Sequence, residues 1–376
     1  MNVCLLIDAW EPIWGGGQTH VWEISQRLVT KFGCTVTIYT RALKSKNGII
    51  YNKNQSLLNG RLTVIRSGTP ADFFQPWSRI AWIFQIIQKV ISDQRKKPFS
   101  IIYAHAYSAG IPAKILSLLI RVPVVFTVHG SNNLDLRPWS ALGISERILL
   151  TRIKYNSEIS VSHHFLNYPN VNCVYVIPNG ITKPDFRMFK KPHPSKFTLL
   201  WVGRFDTVKG LDILIQAFSI FSNKNRSARL LLVGEGPERK RLEALVKNLS
   251  LQKLVQFLGE KSGRDLAKIY NSANVFVLSS YSEGHPITLF EAWAARLPVI
   301  ATRVGDIPVY LKHGVNGLLV QPGDIAGLVQ MLEKAADSRT YQLGRAGFKT
   351  ISPYTWDASA QKVYTVLNKT IRKFST

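Results

Sequence analysis

The chain has 376 residues, with 48 Lys and Arg against 23 Asp and Glu, a formal charge of +25. Hydrophobic residues at 46% and charged ones at 19% exclude a disordered chain, and the length leads us to expect two domains, each with its own core. No apolar run reaches the roughly 18 residues of a membrane span, and Cys4, Cys34 and Cys173 lack any metal or redox spacing. The opening Met1–Asp8 has no basic leader and meets an acid early, so the expected location is cytoplasmic. No zinc-finger, basic-zipper or RNA-recognition pattern accompanies the charge, and nucleic acid is not an expected partner. Phosphate-bearing substrates and an anionic membrane surface stay open, beside a merely basic soluble protein.

Val3 to Ile7 reads as a buried strand, followed by a loop ending in Gly15-Gly16-Gly17. Glycines there let backbone approach a ligand or turn with positive φ. A helix follows, with an apolar stripe at Val21, Ile24, Leu28 and Phe32. Strand, glycine loop and helix form a unit that can bind phosphate or sugar at the carboxyl end of a parallel sheet, though the spacing is not that of the dinucleotide fingerprint. Further strands are expected at 35–39, 62–65, 100–103, 122–128, 158–161 and 173–177, with helices at 77–96, 109–119 and 145–155. This alternation predicts a doubly wound α/β sheet. His129 stands at the carboxyl end of the strand Val124–Val128, where a hydrogen-bonded loop histidine is an equal alternative to a ligand-binding one.

Asn179-Gly180 is a turn signal, and the Pro- and Lys-containing stretch from Pro184 to Pro194 marks a domain boundary. The second half restarts with a strand at 197–202, the loop Gly203-Arg204 to Lys209-Gly210, and a helix striped at Leu211, Leu214, Ile215, Phe218 and Phe221. Arg204 and Lys209 together suit a diphosphate, Arg by bidentate contact and Lys as a point charge, though each alone reads more readily as a solvated surface cation. Gly234-Glu235-Gly236-Pro237 follows another strand. The strand Val275–Leu278 then leads into Ser282-Glu283-Gly284-His285-Pro286 and a helix with Leu289, Trp293 and Leu297 at helical spacing. Pro286 suits the first helical turn, which leaves the amides of Ile287, Thr288 and Leu289 as donors at a positive dipole end. Glu283 before that helix start and Glu291 one turn inside it bracket an anion site. That pairing fits a nucleotide-diphosphate sugar: amides for phosphate, one acid for sugar hydroxyls, the other for the ribose diol. The last segment, from Trp356 through Val363, Val366, Leu367 and Ile371, is an amphipathic helix.

Taken in order, Gly15-Gly16-Gly17, Thr127-Val128-His129-Gly130, Ile177-Pro178-Asn179-Gly180, Gly203-Arg204 with Lys209-Gly210, Val233 to Pro237, Phe257-Leu258-Gly259 and Glu283 to Glu291 span nearly the whole chain. In this order they resemble a family-4 glycosyltransferase, a retaining enzyme of the GT-B fold. The resemblance implies two tandem Rossmann-like domains, 1–180 and 181–355, with a cleft between them and a terminal helix, 356–376, crossing back. It implies that Glu283 meets the donor sugar's hydroxyls and Glu291 the ribose diol, and that Arg204 and Lys209 neutralise the departing diphosphate. Gly16 and Gly17 would bring amides to that diphosphate, and His129 would bond the sugar near its 6-position. The backbone at Phe257 and Leu258 would meet the base, with Gly203, Gly234, Gly284, His285, Ile287, Thr288 and Leu289 completing the donor site. No Asp-x-Asp pair occurs, so a required metal or other cofactor is not expected. His285-Pro286 stands where many relatives have Phe-Gly, which leaves the donor open.

The expected partners are a nucleotide-diphosphate sugar and a saccharide or lipid-linked saccharide acceptor, in surface-glycan synthesis. Trp10 and Trp14, just before the glycine loop, form a candidate acceptor platform, with packing onto the core as the alternative. Residues 77–84 leading to Arg95-Lys96-Lys97 read either as a helix resting on an anionic leaflet or as a core helix with a basic last turn. Competing functions are a GT-B sugar-nucleotide epimerase, an NAD(P)-dependent dehydrogenase and a sugar-binding scaffold.

Overall fold

A computed structural model describes residues 1–13, 15–45, 47–72, 75–130, 136, 138–167, 172, 174–182, 197–337 and 340–375. Trp14, Cys173 and the expected linker at 184–194 lie outside the described residues. The chain divides into two compact units, Met1–Asn179 with Trp356–Thr376, and Gly180–Thr355.

The first unit is built on a nine-stranded sheet: β1 (Asn2–Ile7), β2 (Thr35–Lys44), β3 (Ile50–Tyr51), β4 (Gln55–Leu57), β5 (Leu62–Ala71), β6 (Ile101–His105), β7 (Val124–Val128), β8 (Ser157–Ser160) and β9 (Tyr175–Val176). The order is β4-β5-β2-β1-β6-β7-β8-β9 with β3 against β2. All pairings are parallel except β2–β3 and β4–β5. The two short antiparallel strands escape the sequence pattern because two or three residues are too few to show alternation. β7 starts at Val124 rather than at 122, since Pro123 has no amide to donate to a ladder; its carbonyl accepts from Ile102 instead.

Among the described residues, the helices that follow strands are α1 (Gly16–Thr30), α2 (Pro76–Lys96), α3 (Tyr107–Ile120) and α4 (Ala141–Thr151). The last begins four residues before the expected 145 because Ser140 caps it, its hydroxyl accepting from the Gly143 amide. α2 packs on α3 and α3 on α4. Beneath them Trp82, Ile86, Val90, Ala113 and Leu116 meet Cys4, Leu6, Ile102, Val124 and Phe126 of the sheet. The terminal helix, Trp356–Ser375, packs instead on α1. Arg27 Nε lies 2.7 Å from Asp357 Oδ1, the Phe32 and Tyr364 rings stack at 4.4 Å, and Ser157 Oγ lies 2.7 Å from Thr370 Oγ1.

Glu158 on β8 is 1% exposed, and burial pushes its carboxyl up to about 8 against the opposing pull of the Tyr155 backbone. At neutral pH this side chain is mostly protonated.

The second unit has six parallel strands, β10 (Thr198–Val202), β11 (Arg229–Val233), β12 (Val255–Gly259), β13 (Val275–Leu278), β14 (Val299–Thr302) and β15 (Leu318–Val320), ordered β12-β11-β10-β13-β14-β15. Alternate residues of each strand feed opposite layers. Leu199, Trp201, Leu230, Leu232, Val275 and Val277 meet Leu214, Phe218 and Phe221, from a helix at Leu211–Lys224. Leu200, Val202, Phe276, Leu278, Val299 and Ala301 meet Leu289 and Trp293, from a helix at Ile287–Ala294. Helices thus cover both faces, and every loop at the strands' carboxyl ends is free to carry chemistry.

Candidate functional site

In the second sheet the chain leaves β10 to one side for β11 and returns on the other with β13. Open parallel sheets bind ligands at such a reversal, because the two loops diverge and leave a crevice. The loops after β10 and β13 carry Arg204, Lys209 and Glu283.

Lys209 Nζ lies 2.7 Å from Glu283 Oε1, and the Ser280 hydroxyl donates to the same oxygen at 2.6 Å. The Glu283 side chain is 9% exposed and Lys209 25%, so this ion pair is largely withdrawn from water while its cation still reaches solvent. The pairing depends on a close approach of backbone. Gly210 has φ +57, and a Cβ there would stand 2.2 Å from the Ser279 carbonyl oxygen. Ser279 Oγ donates to the Lys209 carbonyl and the Tyr281 amide to the Val208 carbonyl. On the other side Gly305 has φ +50, and a Cβ would fall 1.6 Å from the Glu283 carbonyl oxygen.

Arg204 is more open, 41% exposed, with Asp206 Oδ2 at 3.9 Å from its Nε. Glu291 sits inside the helix Ile287–Ala294, where its Oε2 accepts from the Tyr270 hydroxyl at 2.7 Å. Burial raises the Glu291 carboxyl, opposed by that hydroxyl. Pro286 is the N-cap of this helix rather than its first residue. The Leu289 amide bonds the Pro286 carbonyl at 3.2 Å, so one of the three expected anion donors is already engaged. Gly284 and His285 complete the loop. His285 is 6% exposed, stacked on Phe290 at 4.6 Å and edge-on to Tyr310 at 5.1 Å, which assigns it to aromatic packing. At the sheet edge the Gly234 amide bonds the Gly259 carbonyl and the Gly203 amide the Val233 carbonyl. Phe257 carries the Arg239 guanidinium over its ring at 4.7 Å, and Leu258 is partly buried beside it.

The first sheet reverses between β1 and β6. The glycine loop after β1 starts α1 at Gly16. A Cβ on Gly17 would lie 3.8 Å from the His129 ring, so these two expected residues are neighbours. Trp10 is 2% exposed and packs against Trp22 at 6.4 Å, the arrangement of a core tryptophan; its ring has no open face for stacking a sugar. Three groups escaped the sequence reading. Asp8 closes β1 and receives Arg41 and Arg79, each at 3.0 Å, which anchors the start of the glycine loop. His105 ends β6 with Nδ1 3.0 Å from His129 Nε2. His20, within α1, holds Asn179 Oδ1 at 2.8 Å from its Nδ1. The available signal was position: Asp8 and His105 stand at strand ends flanking the sheet reversal, where ligand-facing residues collect.

Two Rossmann-like, mainly parallel sheets in tandem are the architecture of the GT-B fold. Residues 14–183 match the glycosyltransferase family 4 profile and residues 183–346 that of glycosyl transferases group 1. The chain belongs to glycosyltransferase family 4. It is 26% identical over 398 aligned positions to D-inositol 3-phosphate glycosyltransferase of Corynebacterium kroppenstedtii, covering 96% of this chain and 86% of that protein. Mannosylfructose-phosphate synthase of Agrobacterium fabrum is 25% identical over 398 positions, covering 93% of this chain and 85% of that one. In fold the chain resembles sucrose-phosphate synthase from Thermosynechococcus elongatus, with TM-score 0.84, 21% identity and 98% of both chains covered. It also resembles Anabaena HepE in complex with UDP-glucose, with TM-score 0.77, 20% identity, and 98% and 100% covered.

Proposed function

We propose that this glycosyltransferase moves a sugar from a nucleotide-diphosphate donor to a saccharide or lipid-linked saccharide acceptor, with retention and without a required metal, in surface-glycan synthesis. The observation that carries the reading is the Lys209–Glu283 pair at the reversal of the second sheet. Breaking the anomeric C–O bond sends its electron pair to the departing phosphate oxygen. Lys209 and Arg204 supply fixed positive charge for that oxygen, and Glu283, held by Lys209 and Ser280, receives hydroxyls of the sugar. Glu291 takes the ribose diol, the Phe257–Leu258 backbone the base, and the Ile287 and Thr288 amides a phosphate. The family reading would add Gly16, Gly17 and His129 to the donor contacts, and it leaves Trp14 as the candidate for the acceptor platform. The UDP and UDP-glucose bound by HepE support a nucleotide-sugar donor; retention and metal independence come with the family reading.

A thermal-shift panel of UDP, GDP, ADP and CMP, then their sugars, tests this. One nucleoside diphosphate at a hundred times its Kd adds about 2.7 kcal/mol to stability, and EDTA leaves that shift in place. Stabilisation by NAD(P) with none by any nucleotide would overturn the reading.

The outer face of α2, α3 and α4 supports the membrane part. One stripe of α2 is core, while Trp77 (79% exposed) and Phe84 (67%) are exposed. Leu118 (70%) on α3, and Trp139 (80%) and Leu142 before and on α4, are exposed too. Arg95, Lys96, Lys97, Arg121, Arg147 and Arg152, on or next to the same helices, are exposed as well, and the Arg147 guanidinium lies 5.4 Å over the Trp139 ring. Among the described residues no helix is long and apolar enough to cross a membrane. Exposed apolar side chains together with exposed cations on one run of helices suit the surface of an anionic leaflet, each cation near it contributing about 1 kcal/mol. Vesicles containing phosphatidylglycerol will bind the protein at low salt and release it at high salt. The combined Phe84→Ser, Leu118→Ser and Trp139→Ser substitutions will weaken binding; equal binding to neutral vesicles would refute the electrostatic part.

A further inference from the structure

His20, His105 and His129 come together where the first sheet reverses, each from a different strand–helix unit. A ring nitrogen from each lies within 4.8 Å of the others. His20 and His105 are 0% exposed. His20 Nε2, His105 Nε2 and His129 Nδ1 have no hydrogen-bond partner among the described residues. A buried lone pair left without a donor costs free energy, and His20 Nε2, whose ring proton is held by Asn179 Oδ1, is such a lone pair beside two further imidazoles.

We propose that His20, His105 and His129 form a binding site for one divalent transition-metal ion of the zinc, cobalt or nickel type. Burial depresses all three imidazoles, most directly His20 at about 4, so each ring is neutral at pH 7 and ready to ligate. Asn179 Oδ1 accepts the His20 Nδ1–H, which aims the lone pair of Nε2 inward; an outer-shell partner on the second nitrogen is the usual companion of a metal-binding histidine. His105 Nδ1 and His129 Nε2 are 3.0 Å apart. In a tetrahedral site with metal–nitrogen distances of about 2.0–2.1 Å, neighbouring ligand atoms stand about 3.3 Å apart, so that edge is nearly formed already. Ligation through these two atoms shifts their shared proton to the vacant nitrogen of the same ring, His105 Nε2 or His129 Nδ1, and releases none. Three imidazoles without a carboxylate select transition metals over magnesium and calcium. The site stands independently of the proposed reaction. If His129 does meet the donor sugar, loading withdraws its ring, and zinc slows transfer where magnesium does not.

Titration of the full-length, EDTA-treated protein with Co²⁺ will give visible ligand-field bands that saturate at one equivalent and vanish when one equivalent of Zn²⁺ is added. His20→Asn and His105→Asn each abolish the bands, while His163→Asn, outside the cluster, keeps them. Asn179→Ala retains all three rings and weakens Zn²⁺ affinity by about 10–100-fold, which keeps the test decisive should a histidine variant fail to fold. No saturable Co²⁺ uptake, or uptake unchanged in Asn179→Ala and either cluster variant, would overturn the site.

Discussion

Lys209→Ala lowers kcat for sugar transfer by about 10²–10³ while the protein stays folded. The magnitude is that of removing one preorganised donor from a developing negative charge, ~2.7–4 kcal/mol. Lys209 sits on a loop and is one-quarter exposed, so its removal opens no core cavity. What it does remove is the cation 2.7 Å from Glu283 Oε1, leaving a nearly buried carboxylate with Ser280 as its remaining donor. In the proposed reaction the charge is therefore lost twice over: once for the departing diphosphate and once for the acid proposed to hold the sugar. Lys209→Arg restores the charge but not the compact ammonium geometry, and recovers part of the rate. Steady-state rates at saturating donor, with nucleoside-diphosphate binding measured by calorimetry, separate the two losses. An unchanged kcat in Lys209→Ala would remove the residue from the reaction.

Folding stability peaks near pH 6.5 and falls on both sides, for reasons that differ. On the acid side the three clustered histidines dominate. Their folded pKa values lie below the ordinary 6.5, so below that pH the unfolded chain binds protons that the folded one refuses. Stability then drops as pH falls, by at most about 4 kcal/mol per pH unit if all three rings contribute. His20 alone, titrating at about 4 when folded, accounts for about 3 kcal/mol across its window. On the alkaline side Glu158 acts in the opposite sense. Its folded pKa of about 8 lies above the unfolded 4.5, so the folded state keeps a proton that the unfolded state has lost, and stability declines as pH rises between those values. That slope is about 1.4 kcal/mol per pH unit, outweighed by the histidines below pH 6.5 and dominant above it. Urea unfolding at a series of pH values reads both limbs. Glu158→Gln flattens the alkaline limb, to which the raised Glu291 carboxyl adds in the same sense, and leaves the acid one; an alkaline slope unchanged by the substitution would clear Glu158 of the role.

Much of the second unit was legible from residue order because its strands are short, continuous and bounded by glycine. Val275–Leu278 occurs as expected, and Arg204, Lys209 and Glu283 fall on the two loops that the alternation of strand and helix places at one sheet edge. Their grouping rested on the family resemblance as well as on spacing. His285 illustrates the opposite case. Beside Glu283 and Glu291 its chemistry suggested a ligand contact, but Phe290 of the next helix stacks on it and Tyr310, from a later segment, packs edge-on. Trp10 likewise looked like a sugar platform until Trp22, one helix away, covered it. His20 and His105 carried no motif of their own, being separated by 85 positions of chain and joined only through the parallel register of β1 with β6.

By itself the sequence determined the periodicities, and hence two α/β units, the glycine turns, and the charge that excludes an ordinary neutral surface. These are local properties, set by backbone sterics and by which face of each element is apolar. Only the tertiary structure decided that Lys209 pairs with Glu283, that Trp10 is core, and that three histidines share one buried corner. Such facts depend on strand order and on contacts between residues far apart in the chain, where burial changes what a side chain can do chemically.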